Sequence, residues 1–163
     1  MTPNTVVPFP VPADPAPTPT SFERLWGKTL KKYGYAAIPA IMVRAQHRLG
    51  VTPTQFCILV QLIEHWRTPD RPPFPTKQQL ADRIGVGQAT IKHNMAQLEK
   101  AGLVRREQRK TSSGDWAANT YILDGLVARL LAFEPDFAEE RRKRDAARRR
   151  VETPKGKRTS TPL

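Results

Sequence analysis

Along this chain, apolar residues return every three or four positions in several separate stretches, each bounded by residues that start or stop a helix. Ile38, Ile41, Met42, Ala45 and Leu49 recur at helical spacing until Gly50, a residue type that reaches positive φ without steric cost and closes helices. Thr52-Pro53 restarts the pattern, with threonine as N-cap and proline at the first helical position. The run TQFCILVQLIEHW is apolar on most sides, which predicts a central buried helix. In that helix Cys57 is expected to pack as a small hydrophobe, with Trp66 and the nearby phenylalanines closing the core. The loop TPDRPPFP ends it, because four prolines in eight residues forbid a continuing helix.

Thr76 is the next N-cap. In KQQLADRIG, Leu80, Ala81 and Ile84 form one face of a short helix. After Gly85-Val86-Gly87 a further helix buries Ile91, Met95 and Leu98, spaced i, i+4 and i+7, and stops at Ala101-Gly102. LVRREQRK and NTYILD read as two strands joined by the turn-rich TSSGDWAA. GLVARLLAF reads as a last helix packing back on the body. Beyond Pro135, EERRKRDAARRRVE has helical propensity but almost no apolar face and should be solvated. Upstream, Trp26 to Ile38 fits a short helix or a strand equally well. These patterns divide the chain into a Pro-rich tail (1–20), a mainly α domain with a small β-hairpin (21–134) and a basic helix or tail (135–163).

Composition narrows the class of partner. The 163 residues carry a formal net charge of +12, which suits a polyanionic partner. Half of that excess lies in residues 139–158. The N-terminal tail holds seven of the sixteen prolines and no Lys or Arg, as expected of an extended, solvated leader. A single cysteine excludes an intramolecular disulfide. No apolar run approaches membrane-spanning length, so the expected setting is cytoplasmic, associated with the nucleoid and not with a membrane.

From Thr76 to Leu123 the order is helix, tight turn, helix, strand, strand. TKQQLADRIGVGQATIKHNMAQLEKAGLVRR resembles the DNA-binding domains of bacterial, phage and plasmid winged-helix proteins, and AQLEKAGLVRR is especially typical of them. The resemblance covers about Ile38 to Leu130 and implies a winged helix-turn-helix fold that binds DNA. Similar domains serve transcriptional regulators and plasmid replication initiators. Many relatives carry Ser, Thr or Asp where this chain has Gly87, a weaker cap, at a cost of a few tenths of a kcal/mol.

With Ile91, Met95 and Leu98 turned inward, Gln88, Ala89, Thr90, Lys92, His93, Ala96 and Gln97 lie on or near the outer face. Gln can bond adenine bidentately, Ala or Thr methyls can pack on thymine, and Lys92 and His93 can meet guanine or phosphate. The helix start at Thr76 and Lys77 suits a phosphate. Arg109, Lys110, Thr111, Ser112 and Ser113 of the wing could follow the backbone or the minor groove. The expected partner is double-stranded DNA, read by residues 88–101 with the wing (105–120) on the backbone. The expected actor is a homodimeric transcriptional repressor. A plasmid or phage replication initiator and a protein-docking adaptor are the alternatives.

Other chemistry finds no footing. GVGQAT follows a helix and lacks the Lys-Ser/Thr ending of a phosphate loop. His47, His65 and His93 show no metal-ligand spacing, and no nucleophile-base or paired-carboxylate pattern stands out. No catalytic residue, metal or cofactor is therefore expected, and the chain is not expected to be an enzyme. RNA binding ranks low for want of exposed aromatic platforms in the pattern.

Overall fold

The computed structural model describes residues 20–108 and 119–152. The chain divides after Tyr35 into two compact units. The first contains α1 (Ser21–Trp26) and α2 (Lys28–Lys31), so the ambiguous stretch after Trp26 holds one helical turn followed by irregular chain and contributes no strand. Thr20 and Glu23 form a reciprocal capping box at the start of α1. The Thr20 amide donates to the Glu23 carboxylate at 2.7 Å, and Lys31 stands 3.2 Å from the same group. The Thr20 backbone bond first, then Lys31, hold the Glu23 carboxyl below its ordinary pKa. A lowered folded-state pKa means that the cap contributes fully above the ordinary carboxylate pKa and is lost as pH falls through the lowered value. Acid titration followed by NMR should therefore show the Thr20 and Glu23 amides losing exchange protection together, and Glu23→Gln should flatten that dependence.

The second unit holds α3 (Ala40–Arg44), α4 (Gln46–Leu49), α5 (Pro53–His65), α6 (Lys77–Ile84), α7 (Gln88–Lys100), β1 (Arg105–Glu107), β2 (Thr120–Ile122) and α8 (Asp124–Glu152). The periodic run ending at Gly50 is two helical pieces instead of one. Ala45, at φ −99 and ψ 17, bends the backbone between α3 and α4. Its amide still donates to Ile41 and its carbonyl still accepts from Leu49, so the bend keeps its hydrogen bonds while Met42 and Leu49 stay buried.

α5 opens on a Thr52–Gln55 capping box with Pro53 in the first turn. It buries Ile58, Leu59 and Leu62, and buried Gln55 is satisfied by the cap. Cys57 is exposed, against expectation. It lies roughly 200° around the helix from Leu59, on a face that is open among the described residues of this unit. Trp66 and Phe56 are partly buried against the core, but Phe74 is exposed and takes no part in closing it.

α6 begins with a third capping box, Thr76–Gln79, and ends at Gly85 in the left-handed region. α7 begins at Gly87 without a side-chain cap. Past α7, Gly102 at φ 69 turns the chain, and β1 and β2 pair antiparallel with Arg105 opposite Ile122, Arg106 opposite Tyr121 and Glu107 opposite Thr120. The Tyr121 amide donates to the Pro73 carbonyl at 2.8 Å, tying the segment before α6 to the sheet. Leu80, Ile91, Met95, Leu98, Leu103 and Tyr121 meet in one core with residues of α3, α4, α5 and α8.

The two segments on either side of Pro135 form one helix, α8, of 29 residues. Proline inside a helix forfeits a hydrogen bond and costs about 3 kcal/mol. Packing on both sides offsets it. Leu126, Leu130 and Phe133 are buried and Phe137 partly so. Arg48 lies over the Phe133 ring and bonds Asp136 at 2.6 Å; Arg44 lies over Phe137 and bonds Glu140 at 3.1 Å. From Glu139 to Glu152 every residue is exposed, as the missing apolar face predicts. Helix pair, sheet and preceding helices together make a winged helix-turn-helix, mainly α with a small two-stranded sheet.

Candidate nucleic-acid interface

The turn Gly85-Val86-Gly87 fixes how α7 leaves α6. The amides of Gly85 and Val86 both donate to the Ala81 carbonyl, which closes α6 in the space of two residues. α7 then presses Ile91, Met95 and Leu98 into the core, each at most 2% exposed. Gln88, Ala89, Thr90, Lys92, His93, Ala96 and Gln97 are all exposed, and together they form the polar outer face that the spacing predicts. Asn94 instead folds back, donating to the Thr90 carbonyl at 2.9 Å.

Two details differ from the sequence reading. The Thr76 amide is already used by its own cap, donating to Gln79 Oε1 at 2.8 Å, and the Thr76 hydroxyl accepts from the Gln79 amide. The helix donors left for an anion are therefore those of Lys77 and Gln78. Gln88 is likewise engaged, its amide nitrogen donating to Gln78 Oε1. Gln78 is thus a member of the face that the sequence reading missed. Its only signal was its place near the start of α6, on the side away from Leu80.

Beside this pair lies an open cleft of about 300 Å³ bounded by Thr76, Lys77, Gln78, Gln88, Asn119 and Tyr121. It joins the start of α6, the start of α7 and the strand that returns from the wing. Burial pushes the Tyr121 phenol up from its ordinary pKa, so the hydroxyl stays neutral at the floor of the sheet.

Charge on the face is sparse. Lys77 is half-buried, and Lys92 and His93 are exposed. In β1, Arg105 pairs with Glu107, and Arg106 pairs with Glu99 at 3.2 Å, binding the strand to α7. The wing residues Arg109, Lys110, Thr111, Ser112 and Ser113 lie outside the described residues. The larger reserve of cations is α8. Within its exposed half, Lys143, Arg144 and Arg148 pair with Glu139, Glu140 and Glu152, whereas Arg141, Arg142, Arg149 and Arg150 have no ion-pair partner among the described residues.

The model of the DnaD N-terminal domain family matches residues 38–142, which is α3 through the first two thirds of α8. Among solved structures, the chain is similar to the N-terminal domain of DnaD protein from Geobacillus kaustophilus HTA426. The two are 18% identical, with 71% of this chain and 96% of that one covered and a TM-score of 0.51. It is also similar to a possible transcriptional regulator from Methanosarcina mazei Go1, at 12% identity, 68% and 96% coverage and a TM-score of 0.40. A further structure, of a transcriptional regulator, is 26% identical, with 73% and 80% coverage and a TM-score of 0.37. No curated protein gives a significant match.

Proposed function

The chain belongs to the DnaD N-terminal domain family, and from that premise we propose that it binds double-stranded DNA by laying α7 in the major groove. The observation that carries this reading is the division of α7 itself. One face is packed tightly, and the other presents Gln88, Ala89, Thr90, Lys92, His93 and Gln97 to solvent. Thr90, Lys92, His93 and Gln97 contact base edges or nearby phosphates, Gln88 joins them through the oxygen and the second amide hydrogen that its bond to Gln78 leaves free, and Ala89 packs on a thymine methyl. The Lys77 and Gln78 amides take a phosphate at the start of α6, with Thr76 holding that helix end in place. Arg109, Lys110, Thr111, Ser112 and Ser113 follow the backbone. No cofactor or catalysis enters this role.

Family and fold together support a DNA-binding or replication-related role. Binding to origin repeats in replication is the purpose consistent with that role; repression of transcription and protein docking are the alternatives. One recognition helix touches few base pairs, so the chain acts as a homodimer in the cytoplasm, with two copies of α7 about 34 Å apart. Light scattering of the protein–DNA complex should give two chains per site.

The direct test is duplex binding by a Lys92→Ala/His93→Ala variant. Both side chains are exposed, so the fold should survive their loss. Affinity for a selected duplex should fall at least tenfold, in line with about 1–3 kcal/mol per base contact. Unchanged affinity would leave the exposed face as a protein-docking surface.

A further inference from the structure

A second surface, away from the outer face of α7, also has the chemistry of a binding site. The end of α5, the turn that follows and the last turn of α6 enclose an open depression of about 510 Å³. Glu64, His65, Arg67, Arg71, Phe74 and Arg83 line it. Phe74 is 64% exposed although Pro73 and Pro75 on either side of it are buried. Side chains alternate along an extended segment, and a residue before proline is held to extended backbone. The two prolines are therefore anchors, and the ring between them is held outward on a rigid support.

The cations around it are also positioned. The Arg71 amide donates to the Thr68 carbonyl at 3.1 Å, closing a tight turn. The Glu64 carboxylate meets Arg83 at 3.0 Å, His65 at 3.1 Å and Arg67 at 3.6 Å. Arg71 has no ion-pair partner among the described residues. One carboxylate thus faces three guanidinium groups, and Asp70 at the tip of the turn does not line the depression. Gln78 reaches towards α7 whereas Arg83 bonds Gln61 and Glu64 of α5, so the two sides of α6 serve different surfaces. Five residues separate them, roughly 140° around the helix.

We propose that this depression takes a single-stranded segment of nucleic acid, with one base stacked on Phe74 and the neighbouring phosphates on Arg67, Arg71 and Arg83. It rests on the nucleic-acid reading above but uses a different face of the domain. An acidic peptide is the competing occupant. Peptide hot spots, however, are ringed by contacts that exclude water, and Phe74 is the only aliphatic or phenyl side chain among the lining residues. A stacked base needs one ring and nearby cations, and both are present.

The test is fluorescence polarisation of the full chain with labelled oligothymidylate and, separately, with duplex DNA. Physiological salt limits the contribution of distant charges. Phe74→Ala should weaken oligothymidylate binding at least fivefold, consistent with about 1–3 kcal/mol per stacked base. Phe74→Trp should restore it, Arg67→Gln/Arg71→Gln should weaken it, and none should alter duplex affinity. Lys92→Ala/His93→Ala should do the reverse. If duplex binding fails but the Phe74 dependence stands, only the role of α7 falls. Oligothymidylate binding that is absent or indifferent to Phe74 would overturn the proposal, as would a glutamate-rich peptide binding there in its place.

Discussion

Gly125→Ala should destabilise the protein by roughly 3 kcal/mol, at the upper end of the range for overpacking. A Cβ at this position would sit 1.9 Å from the Gly102 carbonyl oxygen and 3.0 Å from its carbon. Both partners are backbone, so no side chain can rotate away. The same crossing is fastened by the Leu126 amide, which donates to the Leu103 carbonyl at 3.0 Å. The first turn of α8 can then accept a methyl group only by lifting off the turn that ends α7. For a chain of this size the expected fall in Tm is on the order of 10 °C by calorimetry. Gly87→Ala is the control for added volume, because φ there is −71 and a Cβ would meet nothing within 4 Å, so it should cost no more than the replacement of a weak N-cap. An unchanged Tm for Gly125→Ala would mean that α8 does not start against Gly102.

The second large effect concerns affinity. Replacing Arg141, Arg142, Arg149 and Arg150 together with Gln should weaken duplex binding on the order of 100-fold at moderate salt. It should also flatten the dependence of log K on log salt by up to about 3.6, since each neutralised phosphate contributes about 0.9 to that slope. These four side chains are exposed, and the ion pairs that fasten α8 to the body, Arg44–Glu140 and Arg48–Asp136, are left intact. The fold should therefore be unaffected, and the loss should be nearly the same for every duplex sequence. Binding titrations at several salt concentrations check both statements. A loss confined to one sequence would instead assign these arginines to base contacts.

What was legible in the sequence is what local chemistry decides. Thr52-Pro53 and Thr76 announce helix starts because hydroxyl caps and a proline in the first turn satisfy backbone groups within four residues. Gly50 and Gly85 announce ends because both sit at positive φ. The inward triad of α7 follows from helical period alone, and with it the outer face. What was not legible depends on residues distant along the chain. Cys57 is exposed because the core residues of its own unit pack on the other side of α5, that of Ile58, Leu59 and Leu62, and composition cannot say which side that is. Pro135 stays within α8 because Phe133 and Phe137 are held by Arg48 and Arg44, some 90 residues earlier. The bond between Gln78 and Gln88 depends on how two helices are placed, and the outward ring of Phe74 depends on its flanking prolines being buried. Neither is a property of the local pattern.

The most direct measurement is selection from a random duplex library with the full chain and with the Lys92→Ala/His93→Ala variant side by side. The wild-type chain should enrich a defined site, as direct repeats if it acts in replication and as an inverted repeat if it acts as a repressor. The variant should lose or change the base preferences within that site while keeping the sequence-independent grip of α8. No enrichment by the wild-type chain, or the same site enriched equally by both, would contradict the assignment of α7 as the helix that reads DNA.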